Sequence, residues 1–162
     1  MNLNVIVAGA SIVLYCASVS GAPAKLSPAD EAAAFKAAGF KLKGKQWHAC
    51  DDTSPSATPG AIQEVRDLNG DGRPEAIIIE GGTACYGNTG QGYSLVSKQA
   101  DGSWKLITGG TGMLSILRTT GVGRWPDIEI GGPGFCLPVE RWNGRKYAVQ
   151  RYQYEGKPCR RR

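Results

Sequence analysis

Side-chain oxygens stand at positions 67, 69, 71 and 75 of one short stretch of the chain, residues 67–75, which reads D-L-N-G-D-G-R-P-E. They belong to Asp67, Asn69, Asp71 and Glu75, and glycines stand between them. Carboxylate and amide oxygens are the ligands of hard cations such as Ca²⁺, and glycine lets the backbone turn sharply enough to aim them at one point. We therefore predict a calcium-binding loop here, with the ion in a structural role.

This loop differs from the helix-flanked calcium loop, which needs a bidentate Glu at its twelfth position. Counting from Asp67, that position is Ile78, in the middle of a β-branched run. Asn-Gly followed by Asp-Gly is also a strong signal for a tight turn between strands that binds no metal. The calcium interpretation rests on Asp67 and Glu75, which a turn alone does not need at those positions.

The loop resembles the calcium loop of the FG-GAP and VCBS repeats, in which D-x-D/N-x-D-G-x-x-D/E joins two strands of a sheet. The resemblance implies four side-chain ligands and one carbonyl ligand, namely Asp67, Asn69, Asp71, Glu75 and the carbonyl of Arg73. Calcium sites of extracellular modules bind with a Kd on the order of 10⁻⁴ to 10⁻³ M. Across the whole chain, the pattern also resembles uncharacterised exported proteins of Gram-negative bacteria, which implies a compartment but no activity.

The first 24 residues contain no charged side chain, and an apolar core is followed by small residues. This pattern predicts a secretory signal peptide over residues 1–24, with an apolar core too short for a comfortable membrane span. A lipoprotein signal at Cys16 and a retained membrane-anchoring segment are the alternatives. We expect a periplasmic or secreted protein whose mature chain, residues 25–162, forms one domain with no stable membrane span.

Four cysteines remain in that mature chain: Cys50, Cys85, Cys136 and Cys159. An even number in an exported chain predicts two disulfides, and the sequence leaves the three possible pairings open. A thiolate zinc site is disfavoured because the chain has no C-x-x-C pair.

The net charge of +5 is concentrated at the C-terminus. Lys157, Arg160, Arg161 and Arg162 form a basic tail, so the rest of the chain is nearly neutral. Nucleic-acid binding needs a basic stripe across the domain, which this chain lacks. We therefore expect no nucleic-acid partner.

Glycine-punctuated short runs rich in β-branched and aromatic residues dominate the chain after one early helix. Ser27 and Pro28 begin the helix and Gly39 ends it. A first strand is predicted at 46–50 and a loop at 53–60; further strands are predicted at 62–66, 76–80, 93–98, 104–108, 114–118, 127–130, 139–142 and 147–152, with hairpin turns at residues 101–102 and 143–144. The fold class is mainly β (α+β).

A faint internal repeat aligns Pro74 with Pro126. In each copy an acidic residue, isoleucines, a double glycine and a cysteine follow the proline. The second copy has Thr119, Gly121 and Gly123 where the first has Asp67, Asn69 and Asp71. Two copies cannot close a propeller, so we predict a compact antiparallel sheet or half-barrel built from two degenerate repeats.

Residues that serve common hydrolases are scarce. The chain has a single histidine, His48, and neither a G-x-S-x-G nor an H-E-x-x-H motif. Paired carboxylates are Asp51 with Asp52 and Glu80 with Glu129; the first pair is expected to lie in a solvated turn. We therefore expect no catalysis.

The favoured function is a small, calcium-stabilised, non-catalytic binding module for an unknown protein or glycan. Its contacts are expected from exposed aromatic residues and from the glycine-rich loops 81–92 and 131–135. The aromatic candidates are Tyr86, Trp125 and Trp142. The alternative is a periplasmic enzyme inhibitor or immunity protein that inserts a loop into an active site.

Overall fold

A computed structural model describes residues 25–160 of the chain. The predicted signal peptide lies outside the described residues. Helix α1 spans Pro28–Ala37, and the side chain of Ser27 caps it by accepting a hydrogen bond from the backbone N–H of Asp30 at 3.1 Å. Pro28 occupies the first turn, where its missing N–H costs nothing. The predicted N-terminal helix is thereby confirmed.

The first sheet is an antiparallel meander of six strands that curls into a half-barrel. Its strands, in both chain and spatial order, are β1 (Lys41–Lys43), β2 (Gln46–His48), β3 (Thr58–Arg66), β4 (Glu75–Gly81), β5 (Gln91–Lys98) and β6 (Trp104–Thr111). A short helix, α2 (Thr83–Tyr86), and a 3₁₀ turn (Gly87–Thr89) connect β4 to β5.

The second sheet is a five-stranded antiparallel meander. It contains β7 (Met113–Thr120), β8 (Pro126–Gly131), β9 (Leu137–Trp142), β10 (Tyr147–Tyr154) and β11 (Lys157–Pro158), with a 3₁₀ turn (Val122–Arg124) before β8. The mainly β prediction is confirmed. Each copy of the sequence repeat forms one four-stranded meander, β3 to β6 and β7 to β10, with Pro74 just before β4 and Pro126 at the start of β8.

The predicted loop 53–60 is wrong at its end, because β3 already begins at Thr58. Thr58 pairs with Gly81 of β4, and Gly60 pairs with Trp47 of β2. Pairing with neighbouring strands on both sides overrides the turn-like composition of this stretch. The strands β1 and β11 and the helix α2 were not predicted.

Two hydrophobic cores lie on the two faces of the first sheet. On one face, α1 packs Phe35 against Ile78 and Val96, all of them at most 2% exposed. On the other face, Ile77 and Leu95 join residues of the second sheet, including Leu114, Ile128 and Tyr147. The order of layers is therefore helix, first sheet, second sheet.

The chain contains two disulfides, as predicted. Cys50 pairs with Cys85 and Cys136 pairs with Cys159, which settles the pairing that the sequence left open. Within residues 25–160, no helix is long and apolar enough to cross a membrane. The two disulfides are compatible with an oxidising compartment.

Candidate functional site

The predicted calcium loop joins β3 to β4, and Asp67 organises its backbone. Asp67 Oδ1 accepts hydrogen bonds from the N–H groups of Gly70 at 2.6 Å and Asp71 at 3.1 Å, and its Oδ2 accepts from Gly72 at 2.8 Å. Partial burial alone would raise the pKa of Asp67, but the hydrogen bonds from these N–H groups lower it below its ordinary value. Gly70 and Gly72 have φ of 73° and 84°, which favour glycine at both positions.

The middle of the loop is closed by contacts between its own side chains. Asn69 is 6% exposed, and its Oδ1 accepts from the N–H of Asp71 at 3.0 Å. Asp71 in turn accepts from the backbone N–H of Arg73 at 2.9 Å and from its guanidinium at 2.6 Å. A second guanidinium, that of Arg124 in the second repeat, donates to the carbonyl oxygen of Gly70 at 2.6 Å.

Glu75, the ninth residue of the loop, is 1% exposed. Its Oε2 accepts from the N–H of Leu68 at 2.7 Å, and its Oε1 accepts from the hydroxyl of Ser97 at 2.7 Å. Burial raises the pKa of Glu75, and the nearby carboxylates of Asp71 and Asp67 raise it further. A neighbouring cation would reverse this effect.

The donor chemistry of the loop fits calcium, since all candidate ligands are oxygens. Its side-chain oxygens are at present engaged with N–H and O–H donors of the chain itself. Across residues 25–160 there is no group of three or more His, Cys, Asp or Glu residues arranged to hold a metal. Calcium binding therefore stays a prediction, and it would require Arg73 to give up the carboxylate of Asp71.

The second repeat replaces the loop with an ion-pair cluster around Asp127, which is fully buried. Arg141 donates to both of its oxygens at 2.9 Å, Arg151 donates at 3.0 Å and the hydroxyl of Thr119 at 2.6 Å. Burial alone would raise the pKa of Asp127, but these donors hold it at about 2. The sequence alignment of the prolines located Thr119 but gave no sign of the two arginines.

Glu80 holds the segment that leads to the first disulfide. It is 3% exposed and accepts from the N–H groups of Ala49 at 3.0 Å and Cys50 at 3.2 Å, and from the hydroxyl of Tyr86 at 2.5 Å. His48 Nδ1 lies 3.5 Å from the same carboxylate. These contacts fix the positions of the strand end and of α2.

The other carboxylates singled out in the sequence have structural partners as well. Asp51 forms an ion pair with Lys43. Asp52 accepts from the N–H groups of Ala84 and Cys85 at the start of α2. Glu129 lies in the second sheet and accepts from Gln153 at 2.8 Å, so it shares no partner with Glu80.

The expectation of exposed aromatic residues is wrong for all three candidates. Trp125 and Trp142 are half-buried against the second core, with ring centroids 5.5 Å apart. Tyr86 is half-buried and bonded to Glu80. Among the described residues, the exposed aromatic side chains are instead Phe135, at 77%, in the loop between β8 and β9, and Tyr154, at 38%. Apolar packing between sheets cannot be distinguished from exposure by composition alone.

A groove of about 620 Å³ lies between α1, β2 and the outer edge of β3. Its apolar wall includes Leu26, Phe35, Trp47, Ile62 and Val65, and Phe35 and Trp47 are stacked with ring centroids 5.1 Å apart. Lysine and glutamate side chains line the rest of it, namely Lys25, Lys45, Glu31 and Glu64. No sequence pattern predicted this groove, because it is formed by elements distant in the chain.

The outer edge of β3 is open along this groove. β2 pairs with β3 at one position, Trp47 with Gly60. Within the described part of the chain, residues 61–66 therefore have β4 on one side and no strand on the other. At Gly60 a Cβ atom would collide with the ring of Phe40, so glycine is what allows α1 and its following loop to lie close to the strand.

Comparisons with known proteins give no relative: no family model, curated protein or solved structure matches the chain. The fold and the groove are therefore the basis for a functional conclusion.

Proposed function

We propose that this protein is a small exported, calcium-stabilised binding module without catalytic activity, which binds an extended segment of a partner protein in the groove beside β3. The observation that supports the proposal is the open edge of β3, residues 61–66, next to the groove of about 620 Å³. An unpaired strand presents backbone N–H and C=O groups that another strand can pair with, and adjacent apolar pockets select its side chains.

The shape of the β3 edge limits the length of the partner segment that can pair with it. The pairing register between β3 and β4 shifts between Ile62 and Glu64, which marks a bulge at Gln63. Bulges shorten the regular run of an edge and protect it from pairing with long flat strands. We therefore expect the bound segment to be short, with an apolar side chain that packs against the half-buried Trp47 and Ile62.

Periplasmic or secreted localisation belongs to the same proposal. It is supported by the two disulfides and by the signal-like residues 1–24. The inhibitor or immunity protein remains the alternative class. Recovery of a single enzyme in stoichiometric amount with the exported protein would favour that alternative.

A displayed library of short random peptides, selected on the oxidised protein, tests the proposal. Selected peptides should slow amide hydrogen exchange in residues 61–66 and should compete with one another. Ile62→Lys places a charge in the groove and should weaken binding at least tenfold, whereas Leu106→Lys, at the opposite edge of the same sheet, should have little effect. Protection confined to β6, or selection of glycans but no peptide from a parallel array, would overturn the proposal.

A further inference from the structure

A second surface lies at the far end of the second sheet and is independent of the groove. It consists of Phe135, Tyr154, Lys157 and Arg160, and we call it the aromatic-basic patch. Phe135 is 77% exposed and Tyr154 is 38% exposed. Their rings meet edge to face with centroids 5.5 Å apart. Exposed apolar side chains that cluster in this way are typical of surfaces that contact a protein or a membrane.

The patch is held in place by covalent and backbone bonds. Phe135 precedes Cys136, which is bonded to Cys159, and Arg160 follows Cys159 directly. Tyr154 pairs with Lys157 across β10 and β11. The disulfide and the hairpin therefore bring the cations beside the aromatic pair before any partner binds, which reduces the entropy lost on binding.

The part of the chain that carries the patch has an excess of positive charge, although the exposed Glu155 lies in the same hairpin. Residues 113–162 contain ten Lys and Arg against four Asp and Glu, whereas residues 25–112 contain nine against ten. Arg141 and Arg151 are paired with Asp127. Among the described ion pairs none includes Lys157 or Arg160, and both side chains are exposed. In sequence, two further arginines follow Arg160.

We propose that the aromatic-basic patch binds the surface of an anionic lipid membrane. Phe135 and Tyr154 enter the headgroup region, and Lys157 and Arg160 lie against lipid phosphates. Aromatic rings favour the membrane interface, and basic residues next to it are attracted to anionic headgroups. Cations that no carboxylate fixes in place suit a fluid layer of charge better than a rigid acidic pocket, which needs fixed donors.

The test is co-sedimentation of the exported protein, with both disulfides intact, on phospholipid vesicles. Binding is expected on vesicles of phosphatidylglycerol and phosphatidylcholine in roughly equal amounts, and it should fall steeply by about 0.5 M NaCl. Vesicles of phosphatidylcholine alone should bind little. Phe135→Ser should lower the partition coefficient about tenfold. Lys157→Gln with Arg160→Gln should lower it roughly twentyfold.

Matched controls distinguish membrane binding through the patch from nonspecific adsorption of the protein to vesicles. Val122 is 57% exposed in the 3₁₀ turn before β8, outside the patch, so Val122→Ser should leave partitioning nearly unchanged. Arg145→Gln with Lys146→Gln removes the same charge from the turn between β9 and β10 and should have a much smaller effect than the tail pair. The proposal is overturned by absence of binding, by equal binding to neutral vesicles, or by anionic binding that Phe135→Ser leaves unchanged, which would indicate affinity for polyanions in general.

Discussion

Glu75 and Asp127 occupy equivalent positions in the two sheets, each directly after the aligned proline, and each is at most 1% exposed. The two buried carboxyl groups are nevertheless stabilised in opposite ways. Glu75 is bonded by the uncharged donors of Leu68 and Ser97. Asp127 is bonded by two guanidinium groups and a hydroxyl. The repeat therefore keeps a buried acid in both copies and changes only what balances it.

Asp127→Asn should lower the free energy of unfolding at neutral pH by about 2 kcal/mol. The folded pKa of Asp127 is about 2 against an ordinary value of 3.8. Its contribution is complete above pH ~4 and is lost as the pH falls toward 2. Denaturant unfolding of both proteins between pH 7 and pH 2 measures this. The difference between them should shrink over that range, and a difference that stays constant with pH would contradict the assignment. Glu155→Gln, at an exposed carboxylate, is the control.

Glu75 should show the opposite pH dependence when calcium is absent. Its pKa is raised above the ordinary value of 4.5, so the folded chain holds this proton more tightly than the unfolded chain does. Stability from this group is therefore greatest below pH ~4.5 and declines as the pH rises through the folded pKa. In EDTA, melting temperatures of Glu75→Gln should decline less over this range than those of the wild type.

A control follows from the hydroxyl of Ser97. Ser97→Ala removes a donor to ionised Glu75, so it should make the decline steeper. Equal slopes in the wild type, Glu75→Gln and Ser97→Ala would show that Glu75 does not titrate as described.

The disulfides are expected to contribute unequally. Cys50 and Cys85 are separated by 35 residues, and Cys136 and Cys159 by 23. Chain entropy then gives losses of about 3.8 and about 3.4 kcal/mol for the two Cys→Ser double variants, so the difference between them is only about 0.4 kcal/mol. Urea unfolding of each variant measures the loss. Losses below about 1 kcal/mol would mean that the reduced unfolded chain keeps these segments close together.

The sequence predicted the strands well because glycine and turn residues interrupt apolar runs clearly, as at residues 101–102 and 143–144. Ser27 and Pro28 likewise predicted the start of helix α1 correctly. What the sequence did not reveal depends on contacts between distant segments. The groove forms where α1 meets the edge of β3, and two partners of Asp127, Arg141 and Arg151, lie in strands whose sequences give no sign of an ion pair. Trp125 and Trp142 were misassigned because their burial depends on how the two sheets pack.

Arg73→Gln should strengthen the response to calcium, if the loop binds the ion as predicted. The guanidinium of Arg73 forms an ion pair with the carboxylate of Asp71, and the two side chains are 41% and 30% exposed. A partly exposed ion pair contributes about 0.2 to 1 kcal/mol, so its removal should raise calcium affinity up to about fivefold. Calorimetric titration and the calcium-induced shift in melting temperature of the oxidised protein measure this.

Asp71→Ala and Asp67→Ala each remove one predicted calcium ligand. Both should abolish the calcium-induced shift in melting temperature. Asp67→Ala also removes the acceptor of three backbone hydrogen bonds, so it should lower the melting temperature in EDTA as well. The shift itself, rather than the melting temperature, therefore reports the ion. In the wild type it should grow as the pH rises through the raised pKa of Glu75, because the ionised carboxylate is the ligand. Absence of heat and of any shift in both the wild type and Arg73→Gln would leave the loop as a turn closed by its own side chains.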